Sequence, residues 1–238
     1  MAMTKVHRSC LFIRLVPCSA RYRRSASSRR ILAEAAATAV SGAAYLTQAV
    51  DWSLGLRRAA PDTAVAAASA GIRLDDALRL YLAEQGTKRV NKHDLWILVL
   101  ATTRVRLTAA SLAGLCAYCP AIDPPAPDGD LHQAGALRHL AADLADFYQR
   151  IAAQLGPPRH DEATPVAIPV PAGWSDATSG TGETPGADGA GDGAAPGTAY
   201  QPHALWVREQ LQDLVSHAPD ITAPADHVAQ LRRVPWWR

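Results

Sequence analysis

Apolar and small residues recur at helical spacing through most of this chain, and no stretch shows the strict alternation of a strand. From about Ser27, the positions Ile31, Ala35, Thr38, Gly42, Leu46, Ala49 and Trp52 share one face with small residues between them. They predict a long, alanine-rich first helix whose slim face lets a neighbour come close. A second helix is predicted from about Pro61 to Gln85, with Val65, Ala68, Ile72, Leu74, Leu78, Tyr81 and Leu82 as its apolar stripe. Gly86 is placed to end it, because glycine accepts the left-handed conformation found at helix C-termini.

A new start follows within a few residues. Asn91 is a candidate N-cap for the backbone of residue 93 or 94, and Asp94 sits in the first turn, where a carboxylate favours the helix dipole. The third helix is predicted to run to about Tyr118, and the all-apolar run Leu95 to Leu100 implies a central position. Pro120, Pro124, Pro125 and Pro127 close it. In the fourth helix, from about Asp130 to Leu155, Leu137, Leu140, Leu144, Phe147 and Ile151 alternate steps of three and four, a seam suited to a bundle.

Past that helix the pattern dissolves. Sixteen of the forty-five residues from Gly156 to Tyr200 are Gly or Pro, so this spacer is expected to be disordered. Leu205, Trp206, Leu211, Leu214 and Val215, then Val228 and Leu231, predict one or two short helices docking back. The expected architecture is an all-α antiparallel bundle of about four main helices over residues 29–155. A basic, disordered head (1–28), the spacer (156–200) and a short C-terminal helical return (201–238) complete it.

Charge is uneven along this plan. The net charge of +2 averages residues 1–30, which carry Lys5, Arg8, Arg14, Arg21, Arg23, Arg24, Arg29 and Arg30 without any acid, and a spacer with Arg159 against six acidic residues. Such a head could touch nucleic acid or anionic lipid by charge alone, although no helix-turn-helix or aromatic stacking motif supports nucleic-acid binding. Alanine fills one position in five, which favours helix but buries little area per residue. Two separated cysteine pairs do not form a secreted disulfide framework, so a reducing cytosol is expected. The longest uncharged runs fall short of a membrane span, and extending the third helix would bury Arg104 and Arg106 in lipid.

Candidate chemistry is sparse. Cys116 and Cys119, then His132 and His139, begin like a zinc set, but the two histidines are seven apart on one helix, roughly 10 Å along its axis, too far to share one ion. The Cys-x-x-Cys pair lies at a helix C-terminus, which does not favour a reactive thiolate. Asp75 and Asp76 precede Arg79 at the spacing of a solvated helix-surface pair. His93, His160, His203, His217 and His227 have no nucleophile or orienting carboxylate at a recognisable spacing, and the Gly-rich stretch 179–197 lacks a phosphate-loop ending. Trp236 and Trp237 suit a packing anchor or a bilayer interface equally well. No catalytic, cofactor-binding or metal-ligating residue is assigned, no cofactor is expected, and the chain does not read as an enzyme.

One resemblance emerges from "AGIRLDDALRLYLAEQGTKRV" and "ATTRVRLTAASLAGL". Leu74-Asp75-Asp76-Ala77, the run Arg79 to Glu84, Gly86 with Lys88, and Arg104 to Thr108 resemble the soluble helical region of actinobacterial fusaric acid resistance type proteins, a family of aromatic acid exporters. The resemblance covers residues 30–155 and lacks the family's membrane helices, so no transport residue carries over. It implies a non-enzymatic cytoplasmic module, peripheral at the inner face of the plasma membrane, that supports or regulates a membrane efflux component. Its partners would be that transporter component, a second copy of itself, or the anionic membrane surface. The alternative is a free-standing helical regulatory protein that contacts nucleic acid or anionic lipid through its head.

Overall fold

The computed structural model describes residues 12–84, 90–118, 129–156 and 202–233, with side chains for 26–84, 90–115, 133–156 and 204–231. These residues fold as five helices, with no strand among them: α1 Phe12–Ser53, α2 Ala64–Ala83, α3 Lys92–Tyr118, α4 Gly129–Leu155 and α5 Pro202–Arg233. The fold is an all-α bundle. Its first helix begins well before Ser27, and the chain beyond the spacer forms one 32-residue helix in place of short pieces. The head residues 1–11, Gly86 and Lys88, Cys119, most of the spacer, and Trp236 and Trp237 lie outside the described residues.

Four helices make a square. α1 packs on α3 and α4, and α5 packs on the same two from the opposite corner. α2 lies outside the square, against α1 and the edge of α3. The square's interior is closed by Leu46, Leu98, Leu112, Leu144, Phe147, Ile151, Leu211 and Leu214, all essentially inaccessible to solvent. Each such side chain contributes roughly 1.5–3 kcal/mol by leaving water.

Chain direction follows from the connections. α2 is the return stroke that lets α1 and α3 run the same way, as the matched pairs Gly42 with Val105 and Ser53 with Leu112 show. α4 and α5 also run parallel, their Gln154 and Asp226 side chains hydrogen-bonded at 3.1 Å. Crossing back along α4 takes a connection of at least roughly a dozen extended residues, and the spacer exceeds that several times over.

Local chemistry sets the helix ends. Thr63 gives α2 no side-chain cap of its own. Gln48 of α1 does the job instead: its Oε1 accepts from the Asp62 and Thr63 amides at 3.0 and 3.4 Å and from the Thr63 hydroxyl at 3.1 Å. The same side chain, with Arg57 beside it, holds the Asp62 carboxyl below its ordinary range. α2 stops at Ala83, with Glu84 extended and accepting from the Ser27 hydroxyl, three residues short of the expected glycine. Asn91 caps α3 as its position implies, accepting from the His93 amide at 3.0 Å.

α3 is central on one side only. Leu95, Leu98, Val99, Val105, Ala109 and Leu112 are buried, whereas Trp96, Leu100 and Leu107 are half exposed. Lys92–Leu115 is the one segment among the described residues long and apolar enough to cross a membrane, and half of it is buried inside the bundle.

Candidate functional site

α3 and α5 diverge on the outside of the bundle and leave a groove of about 1120 Å³, floored by Tyr148 of α4. Its walls are mainly apolar, with Ile97, Leu100 and Leu107 on the α3 side and Pro219, Ile221 and Pro224 on the α5 side. The two prolines stand inside α5. A helix-interior proline has no N–H to give and its ring crowds the preceding turn, so carbonyls are released from the helical ladder. Burial of Ala218, Ile221 and Ala225 holds the helix together across that weak point, and Thr222 donates back to the Pro219 carbonyl at 2.9 Å.

Tyr148 is the chemically unusual member. Tyr148 is 1 % exposed, and its hydroxyl has no hydrogen-bond partner among the described residues. Burial raises its pKa, with Arg104 opposing and Asp213 adding to that shift, so the phenol remains a neutral donor through the physiological range. A buried hydroxyl without a partner costs about 1–3 kcal/mol, so something other than stability keeps it there. Arg104 lies at the same level of the groove. Among the described residues its guanidinium reaches only one carboxylate, Asp213, at the long distance of 3.7 Å, and retains donors for another partner.

At one end of the groove, Nδ1 of His227 meets Asp94 Oδ2 at 2.6 Å. A carboxylate only accepts, so Nδ1 carries the proton and Nε2 is left for the groove. The bond also pins α5 to the first turn of α3. Midway along the groove, His217 donates from Nδ1 to the Asp213 carbonyl at 2.7 Å. Ser216 Oγ lies 3.0 Å from that same nitrogen, yet a nitrogen already donating cannot take the serine proton, so the pair is no nucleophile and base.

The residues singled out in sequence scatter. His93, His217 and His227 line the groove, while His139 is exposed on α4. The side chains of Cys116, Cys119, His132 and His203, and residue His160, lie outside the described residues. Among the described residues no three His, Cys, Asp or Glu side chains gather to hold a metal. Asp76 pairs with Arg79 at 3.5 Å on the solvent side of α2, and Asp75 is exposed beside them. The groove itself was missed in sequence, because Tyr148 adjoins Phe147 in a regular seam and reads as core. Its one signal is a hydroxyl at a position where that seam runs apolar.

No family model, no curated protein and no solved structure matches this chain.

Proposed function

We propose that this chain is a non-enzymatic helical binding module whose ligand lies in the α3–α5 groove. The ligand is an elongated, mostly apolar molecule ending in an oxygen acceptor. The observation that carries this reading is the buried, unpartnered Tyr148 hydroxyl on the floor of an apolar-walled groove. Tyr148 and Arg104 both line the groove and would supply the donors for the acceptor end, while Ile97, Leu100, Leu107 and Ile221 would take the apolar body.

Dodecanoate and dodecyltrimethylammonium share an apolar body and differ at the head, so titration calorimetry with both separates the claims. Dodecanoate should bind saturably and the ammonium much more weakly. Tyr148→Phe should weaken dodecanoate about tenfold, while stabilising the ligand-free protein by about 1 kcal/mol through loss of an unpaired hydroxyl. Equal binding of both probes, no saturation by either, or an unchanged affinity in Tyr148→Phe would sink the reading.

The exporter resemblance adds a place of action. The module would work beside a membrane efflux component at the inner face of the plasma membrane, in its assembly or regulation. Of the residues carrying that resemblance, Leu74 to Ala83 fall on α2 and Arg104 to Thr108 on α3, and the outer surfaces of these helices also expose Ile72, Leu80, Leu82, Trp96 and Leu100. In fractionated native cells the chain should follow the membranes; recovery wholly in the soluble fraction overturns this part.

A further inference from the structure

α3 carries a second seam, on the side it turns to solvent. Trp96, Leu100, Thr103, Leu107, Ala110 and Gly114 follow steps of four, three, four, three and four, the spacing that keeps residues in one stripe along a packed helix pair. Trp96, Leu100 and Leu107 are 50, 50 and 52 % exposed. Ala110 and Gly114 are exposed too, and a Cβ added at Gly114 would meet nothing within 4 Å. No charge falls on the stripe. Arg104 flanks it toward α5, and Arg106 flanks it toward α2, where its guanidinium lies against Gly71.

The order of sizes along the stripe is informative. Large residues lie toward the N-terminal end and small ones toward the C-terminal end. Laid antiparallel on a second copy of itself, the helix sets Trp96 against Gly114, Leu100 against Ala110 and Leu107 against Thr103. All three pairings share one centre, level with Val105, as a single two-fold axis requires. A parallel arrangement would instead stack Trp96 on Trp96 and leave a gap between the two Gly114 positions. We propose that the outer face of α3 is a self-association surface, joining two copies through antiparallel α3 helices.

The geometry has two consequences. That axis lies across α3 in the plane of contact, so α2 of each copy faces α2 of the other and α5 faces α5. The two α3–α5 grooves then open toward one another and form a shared chamber, with Leu100, Thr103 and Leu107 lining the groove rim as well as the contact. The three half-exposed side chains offer roughly 300 Å² of apolar surface per copy, about the size of the largest apolar patch on an ordinary monomer, which is often functional. A standard interface buries roughly 800 Å² per partner, so the flanking residues Leu82 on α2 and Pro219 and Ala223 on α5 must supply the remainder. A concentration-dependent dimer is therefore expected.

Sedimentation velocity on the full chain, across a concentration series, tests this. The expected result is a monomer–dimer equilibrium in the micromolar range. Leu107→Glu, at an exposed position, should give a monomer with unchanged helical circular dichroism. Trp96→Ala and Gly114→Leu should each weaken the dimer at least about tenfold, and the two together should restore it, because the large and small partners have merely exchanged sides. A chain that stays monomeric at every concentration overturns the proposal, as does a folded Leu107→Glu that still dimerises. If Leu107→Glu unfolds, the size exchange decides: a double variant no better than either single one refutes the pairing.

Discussion

Two glycines on facing helices meet α3 at adjacent residues, and their surroundings give substitution opposite signs. At Gly42 of α1 an added methyl would sit 3.0 Å from Val105 Cγ1 and 3.5 Å from the Arg106 amide nitrogen. Neither neighbour yields easily, since Val105 is fully buried and the amide belongs to the α3 backbone. At Gly71 of α2 the added methyl would come within 2.6 Å of Arg106 Nε, but that is the far end of a flexible side chain. The same Nε is buried without a hydrogen-bond partner among the described residues, so displacing it toward water removes a cost. Replacing an interior helical glycine by alanine gains up to about 1 kcal/mol, and overpacking a tight contact costs about 1–3 kcal/mol. Gly42→Ala should therefore lose about 1 kcal/mol net, with packing outweighing propensity, and Gly71→Ala should gain about 0.5–1 kcal/mol. Urea unfolding of the two variants checks both signs, and equal effects would mean that the close approach at Gly42 is not maintained in solution.

Between α2 and α3 the chain turns a corner that neither helix can hold alone. The Tyr81 hydroxyl, fully buried, donates to the Val90 carbonyl at 3.0 Å and so ties the end of α2 to the residue before the Asn91 cap. Tyr81→Phe keeps the ring but leaves that carbonyl unpaired, and should cost about 1–3 kcal/mol, concentrated in faster hydrogen exchange at the first turn of α3. Protection unchanged there would mean that the Asn91 cap alone sets the turn. The comparison shows which features local chemistry writes into sequence. The Asn91 cap and the α4 seam are legible because the residues responsible are neighbours in the chain. The stop of α2 is not, since Ser27 and Val90, which fix it, come from elsewhere. α5, expected as one or two short helices, is not either: prolines such as Pro219 and Pro224 disfavour a helix interior, and only burial of the residues around them against α3 and α4 holds one helix through both. The groove shares that fate, because Arg104, Tyr148 and Asp213 come together only once three helices are packed.

At the scale of the molecule, α5 is the helix on which everything else closes. It fills the corner opposite α1, and without it α4 would be packed against α1 alone and α3 against only α1 and α2. Val207, Leu211, Leu214, Val215, Ile221 and Val228 are all buried by that docking. At roughly 1.5–3 kcal/mol each they bring roughly 9–18 kcal/mol of gross apolar burial, as large as the whole net stability of an ordinary domain. A chain ending at residue 200 should thus lose its cooperative thermal transition and expose Tyr148, while keeping much of its far-ultraviolet helical signal. The covalent link matters far less, because the entropy of closing a long connection grows only with the logarithm of its length. A peptide spanning residues 202–233 added in trans should rebind and restore the transition, with a midpoint that rises with peptide concentration. A truncated chain that melts as cooperatively as the full one would show that α1 to α4 form a self-sufficient bundle. In that case the groove would be a seam between two separate units, with its Asp94 to His227 bond acting as a detachable clasp.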